Sequence, residues 1–429
     1  MMSQNINGTF VFEPSEGQAQ KTVLYEKHIA LTDKSHIAPF AGFLMPLWYS
    51  SISSEHKAVR EAAGLFDCTH MGVLEVQGFE VADFLNLIAT NDVSKITDGS
   101  AQYSYILDAA GNVLDDIIIY RRTSDKFMVV VNAANEPKIK AYIDALLEGQ
   151  AILDVSNPKR KLEYEPSIRD MKDTSAGSDC KADIALQGPA SLDIILALLK
   201  DNAVKEKIKG LKPFKFIETT ICENIGCIIS RTGYTGAKVS FELYAHPSQA
   251  PLLWDKLLEY GKSFGLVPCG LGARDSLRIE AGLPLYGHEL NGPFNISPFA
   301  AGYGWAVKLD KKFFIGKDAM QKEAAEYNAE VVRLKLPGEK GVRPVRQNDG
   351  VLVGGKCIGW VLSCAAAGEK QIALALVEKN IIKENTPVGI YYLARSQGQI
   401  QKGKKEKVRK GQELQQDIEG IAAARFEKF

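Results

Sequence analysis

Two neighbouring segments, LDDIIIYRR (114–122) and KFMVVVNAAN (126–135), are apolar, β-branched runs separated only by the turn residues TSD. That pattern predicts a β-hairpin. The next segment, EPKIKAYIDALLEG, switches period. Its apolar residues Ile139, Tyr142, Ile143 and Leu146 fall at helical spacing, with Pro137 in the first turn. Hairpin followed by helix points to an α+β arrangement. A second set of strand, helix and hairpin signals follows near the middle of the chain. IALQG reads as a strand and residues 189–200 as a helix, while FIETTIC and CIIS, joined by ENIG, read as another hairpin. Helices are expected over Ser53 to Ala63, with Gly64 placed to end the helix, and over PSQAPLLWDKLLEYGKSFG and GLGARDSLRIEAG. GVLEVQG (72–78) reads as a short strand. Residues 157–183 are charged and aperiodic, and predict an exposed excursion.

The texture changes near Ala329. EVVRLKL, GVLVGG, KCIGWVLSC, QIALALV and PVGIYYL are short strands broken by frequent turns, which predicts a small all-β barrel or sandwich. The expected organisation is a flexible N-terminal arm (1–22) and two interwoven α+β domains (23–320). A C-terminal β-barrel (328–396) and a basic, flexible tail (397–429) complete it.

Composition narrows the class. The 429 residues include 52 Lys plus Arg and 52 Asp plus Glu, so the formal charge is zero and gives no support for whole-surface steering toward nucleic acid. No apolar run is long enough for a membrane span, and the N-terminus lacks a basic start followed by an apolar stretch. A cytoplasmic protein is expected. The seven cysteines form no CxxC, and the six histidines form no HExxH or zinc-spaced cluster. Neither a disulfide framework nor a metal site is expected.

Candidate chemistry gathers at strand ends. Neighbours on a strand point to opposite faces, so only one of Asp115 and Asp116 is expected to face a given cavity. Burial beside so apolar a run would raise a carboxyl pKa and suit it to proton handling. Asn132 ends the partner strand, and Tyr103 lies near another strand start. In SRTGYTGAKVSFELY (230–244), a turn over 235–240 would set Tyr234 and Glu242 on paired strands. A ring with a nearby carboxylate suits a flat heterocycle bearing an amidine-like edge, as in pterins, guanines and arginine ligands. Arg274 and Arg278 share one helical face; each could contact such a ligand or simply pair with Asp275 or Glu280.

The segments FAGFLMPLWYSSI, REAAGLFDCTHMG, TNDVSKI, GNVLDDIIIY, VVNAAN, ALQGPAS, SRTGYTG, FELY, GLGARDSLRIEAGLPLYG and GWAVKLDKKFFIGKDA occur in one order. Together they resemble the T-proteins of the glycine cleavage system, the aminomethyltransferases, from about Leu24 to Leu393. The resemblance implies a three-domain cloverleaf around tetrahydrofolate. It also implies transfer of an aminomethyl group from the lipoyl arm of the H-protein, yielding ammonia and 5,10-methylenetetrahydrofolate. By motif, Asp116 would be the carboxylate near the folate reaction centre. Met71, Tyr103, Asn132, Tyr234, Glu242 and Arg274 would line the folate site. The family's TGEDGFE reads TGAKVSFE here, one residue longer. Two other activities are compatible with the family: tetrahydrofolate-dependent demethylation of a small methylated compound, and folate binding without catalysis.

Overall fold

The computed structural model describes residues 7–14 and 17–429. They divide into two compact units. The first comprises Met1–Gly233, Ala237–Ala273 and Ala306–Lys322; the second comprises Tyr234–Gly236, Arg274–Trp305 and Glu323–Phe429.

The expected hairpin is the centre of the first unit. Val113–Thr123 pairs antiparallel with Lys126–Val131 inside a five-stranded sheet, ordered Ser100–Leu107, Val113–Thr123, Lys126–Val131, Gly72–Gln77, Ser167–Asp170. Alternation decides what each face does. Leu74, Val76, Ile117, Ile119, Val129 and Val131 face the helices Val81–Ile88 and Glu136–Leu147 and share one core with Phe84, Ile139 and Tyr142. Val73, Ala101, Tyr120, Met128 and Val130 point the other way. With Met71 and Ile118 they pack on Phe216, Ile228 and Tyr244 of a second sheet.

That second sheet has six strands, ordered Phe216–Ile221, Ile225–Ser230, Ser240–Ala245, Ala182–Gln187, Ala63–Asp67, Leu266–Cys269. Its far face packs against the helices Ser191–Leu198 and Ala250–Gly261 through Ile194, Leu253, Trp254 and Leu257. The first unit is therefore built as helices, sheet, sheet, helices.

Three sequence expectations need correction here. The helix Ile52–Glu61 is not ended by Gly64, which lies within the strand Ala63–Asp67. A Cβ at Gly64 would come within 2.4 Å of Val59 Cγ2 and 2.6 Å of Cys269 Sγ, so close packing explains the glycine. Residues 157–183 are not wholly an exposed excursion. Ser167–Asp170 forms the edge strand beside Gly72–Gln77, and Met171, Ala176 and Cys180 are buried between the sheets. The N-terminal segment, of which residues 1–6 and 15–16 lie outside the described residues, is also held. Phe10 donates its backbone N–H to Asp108 at 3.0 Å and meets Tyr142 edge-on, and Gln20–Lys21 pairs with Phe43–Pro46.

The second unit contains the expected barrel. It is closed by six strands, ordered Ala329–Pro337, Lys370–Glu378, Lys356–Ala367, Gly350–Val353, Pro387–Tyr391, Ile418–Ala423. The last of these lies in the segment expected to be a flexible tail. Ile418–Ala423 pairs with both Pro387–Tyr391 and Ala329–Pro337, removing the two open edges a five-stranded sheet would leave. Four of its six residues are apolar, but only Ala422 is fully buried and Ile421 is exposed, so no alternation of apolar and polar positions marked it as a strand. Residues 274–305 also belong to this unit rather than to the region before the barrel.

Candidate active site

In the first unit the two carboxylates of LDD, both on Val113–Thr123, meet one amide. The Asn132 side-chain NH2 donates to Asp115 Oδ1 at 2.8 Å and to Asp116 Oδ1 at 2.9 Å. Asn132 stands where its own strand has ended, so its side chain can reach both residues across the pleat. Asp115 is fully buried. It also accepts the Asn132 backbone N–H at 2.9 Å and the Asn135 side-chain amide, while Lys138 Nζ donates to Asn135 at 3.0 Å. These bonds make Asp115 the anchor of the turn into the helix Glu136–Leu147. Asp116 is half-buried and takes a further bond from Tyr103 OH, 3.0 Å to Oδ2. Of the adjacent pair, it is the more exposed.

Burial pushes both carboxyl groups above the usual aspartate range, and the Asp116 charge adds to the rise at Asp115. The bonds from Tyr103 and Asn132 act in the opposite sense, favouring the ionised form of Asp116 without overcoming burial. Such a pair can hold one proton near neutrality. Burial also pushes the Lys138 ammonium down, against the attraction of Asp115.

Asp116, Ile118 and Tyr120 follow one another on the same face of the strand. Tyr120 leads to the second polar group. Its OH donates to Glu242 Oε2 at 3.3 Å and lies 3.1 Å from Tyr244 OH, and Thr232 Oγ1 also donates to Oε2. All three bonds to Glu242, including the longer one from Tyr244 at 3.5 Å, fall on Oε2. Oε1 remains as an acceptor with a fixed direction. Met71 is partly buried against the apolar layer between the sheets.

Tyr234 and Glu242 are not on paired strands. The pairing of Ile225–Ser230 with Ser240–Ala245 begins at Ser230 opposite Glu242, and Tyr234 lies in the irregular connection. Tyr234 belongs to the second unit, where its OH donates to the Pro284 carbonyl at 2.5 Å. The Arg274 guanidinium carbon lies 5.3 Å from its ring centroid, a cation–π pair. Arg278 has the structural fate: buried, it bonds Asp275 at 2.8 Å and the buried Glu289.

Sequence reading did not single out Tyr120, Thr232, Tyr244, Asn135 or Lys138. A signal for Tyr120 existed in its even spacing from Asp116. The others come from separate elements that only folding assembles. Among the described residues, no group of three or more His, Cys, Asp or Glu side chains is placed to hold a metal ion. No helix there is long and apolar enough to cross a membrane.

Residues 24–311 match the family model described as the GCVT N-terminal domain. The chain is 38% identical to an aminomethyltransferase of Halalkalibacterium halodurans over 378 residues, 87% of this chain and 94% of that one. An aminomethyltransferase of Symbiobacterium thermophilum is 40% identical over 366 residues, 83% and 89% of the two chains. The fold is similar to the crystal structure of glycine cleavage system aminomethyltransferase T from Bartonella henselae. That likeness has a TM-score of 0.73 at 26% identity and covers 96% of this chain and all of the other.

Proposed function

We propose a division of labour among the site residues from the premise that this chain belongs to the glycine cleavage T-protein family, the aminomethyltransferases. In this reading it takes an aminomethyl group from the lipoyl arm of the H-protein and passes the one-carbon unit to tetrahydrofolate, in the cytoplasm. Ammonia, 5,10-methylenetetrahydrofolate and the dihydrolipoyl carrier are the products. Tetrahydrofolate, when bound, supplies the nitrogen nucleophiles.

Asp116 is the catalytic carboxylate. The single observation that carries this is its arrangement: partly exposed, raised in pKa by burial, and aimed by Tyr103 and Asn132. An amine leaves as ammonia only if it is protonated, and a carboxyl that keeps a proton near neutrality can supply one. Asp115 positions Asn132 and, through it, Asp116.

The donor set also fits the co-substrate. Glu242 Oε1 suits the amidine-like edge of a pterin, because Tyr120, Thr232 and Tyr244 already hold the other oxygen. The Tyr234 ring and the Arg274 cation beside it offer an aromatic face and a carbonyl-binding group, a chemistry that also suits a pterin. Met71 is apolar wall.

The test is direct. Purified protein is given tetrahydrofolate and aminomethyl-loaded H-protein, and ammonia and methylenetetrahydrofolate are followed together. Equal yields of the two support the reading. Folate binding without either product would overturn it and favour a small methylated donor.

A further inference from the structure

We propose that the segment Ala424–Phe429, together with Arg333, is a positioning strap for Tyr234 and Arg274, the aromatic–cation pair of the second unit. This rests on the folate role proposed for that pair.

The helix Leu271–Ala281 carries Arg274, and like any helix it ends in carbonyls without intrahelical partners. Here they are met from the barrel. Arg333, on Ala329–Pro337, donates to the Glu280 carbonyl. Glu427 donates its backbone N–H to the Ala281 carbonyl at 3.1 Å, and Arg425 donates to the Gly282 carbonyl. Three consecutive carbonyls are thus taken by Arg333 and the segment that follows the barrel's last strand. Arg425 also reaches the Ala301 carbonyl at 2.8 Å, and Arg333 bonds the Ala424 carbonyl at 2.8 Å and the Glu427 carboxylate.

The same segment then reaches the tyrosine's loop. Phe429 donates its backbone N–H to the Gly236 carbonyl at 2.9 Å, two residues beyond Tyr234. The approach is close enough to need glycine. Gly236 has φ +77°, and a Cβ there would come within 2.4 Å of Ala281 Cβ. Gly282 has φ +81°, and a Cβ there would come within 2.1 Å of the Arg425 carbonyl. Tyr234 itself is tied to Pro284, two residues past Gly282. The strap therefore fixes both ends of the aromatic–cation contact: the loop that holds the ring and the helix that holds the guanidinium.

Phe429→Pro and Phe429→Ala separate the bond from the side chain, because only proline removes the N–H. Hydrogen exchange is measured over residues 231–240 and 274–286, and the KM for tetrahydrofolate is compared with kcat. Phe429→Pro should exchange faster in both segments and raise that KM about fivefold, the size of one hydrogen bond, with kcat and Tm little changed. Phe429→Ala should resemble the parent. Equal exchange in the two variants would overturn the strap. Faster exchange with an unchanged KM would overturn its service to folate. Tyr234→Ala tells which idea has failed: if it too leaves the KM unchanged, the folate role of Tyr234 falls; if it raises the KM, only the strap does.

Discussion

Asn132 donates one side-chain amide to both Asp115 and Asp116, at 2.8 and 2.9 Å, although neighbours on a strand point to opposite faces. The bridge works because Asn132 lies just past its strand's end, beside the edge where the two faces meet. It joins two adjacent acids of different burial, Asp115 inside and Asp116 partly exposed.

Asp116→Asn keeps the size and the bonding capacity of the side chain but cannot carry the proton. Turnover should fall about a hundredfold or more, with tetrahydrofolate affinity within a few fold of the parent. Steady-state ammonia release and a folate titration measure the two quantities. Unchanged turnover would remove Asp116 from the chemistry.

The raised carboxyls also predict a pH dependence of stability. An ordinary unfolded aspartate loses its proton near pH 4. The native pair keeps a proton to higher pH. Between those limits the native state binds more protons, so stability should fall as pH rises. Calorimetry from pH 5 to 8 should show that slope in the parent and a shallower one in Asp116→Asn. Parallel curves would mean the pair titrates normally.

Glu242→Ala should weaken tetrahydrofolate binding by more than about 1.5 kcal/mol, the loss of a charge-assisted contact. It also releases Tyr120, Thr232 and Tyr244. Glu242→Gln keeps an acceptor for them, so a comparable affinity loss in Gln locates the effect in the charge. Normal binding in both would assign Glu242 to structure alone.

Asp67 makes a stability prediction far from the chemistry. It is fully buried, and burial alone would raise its pKa. The hydrogen bond and charge of His28, at 2.7 Å, outweigh that and hold it at about 2. Thr22 Oγ1 and the Thr69 N–H add further bonds. A depressed native pKa contributes stability that is present above the ordinary aspartate value and lost as pH falls from about 4 toward 2. Asp67→Asn should cost about 3 kcal/mol at pH 7 and flatten the acid limb of the stability curve. Denaturant melts at pH 7 and pH 3 would check both.

What the sequence determined by itself was local or motif-borne. Hydrophobic period placed the hairpin 113–131, the helix Glu136–Leu147 and the barrel strands up to Tyr391, because each buries a continuous face. Ordered motifs carried the family, and the strand ends in them held Asp116, Asn132 and Tyr103, which the hairpin register brings together. The tertiary structure decided what depends on distant partners. Ile418–Ala423 shows no alternation of apolar and polar residues, yet it closes the barrel because two strand edges await it. Glu242 is oriented by Tyr120, more than a hundred residues away. Tyr234 lies outside the ladder that its spacing suggested: the Gly236 carbonyl in its loop accepts the Phe429 N–H, and its hydroxyl donates to the Pro284 carbonyl. Periodicity reports which face a residue buries; it carries no information about which remote donor meets it there.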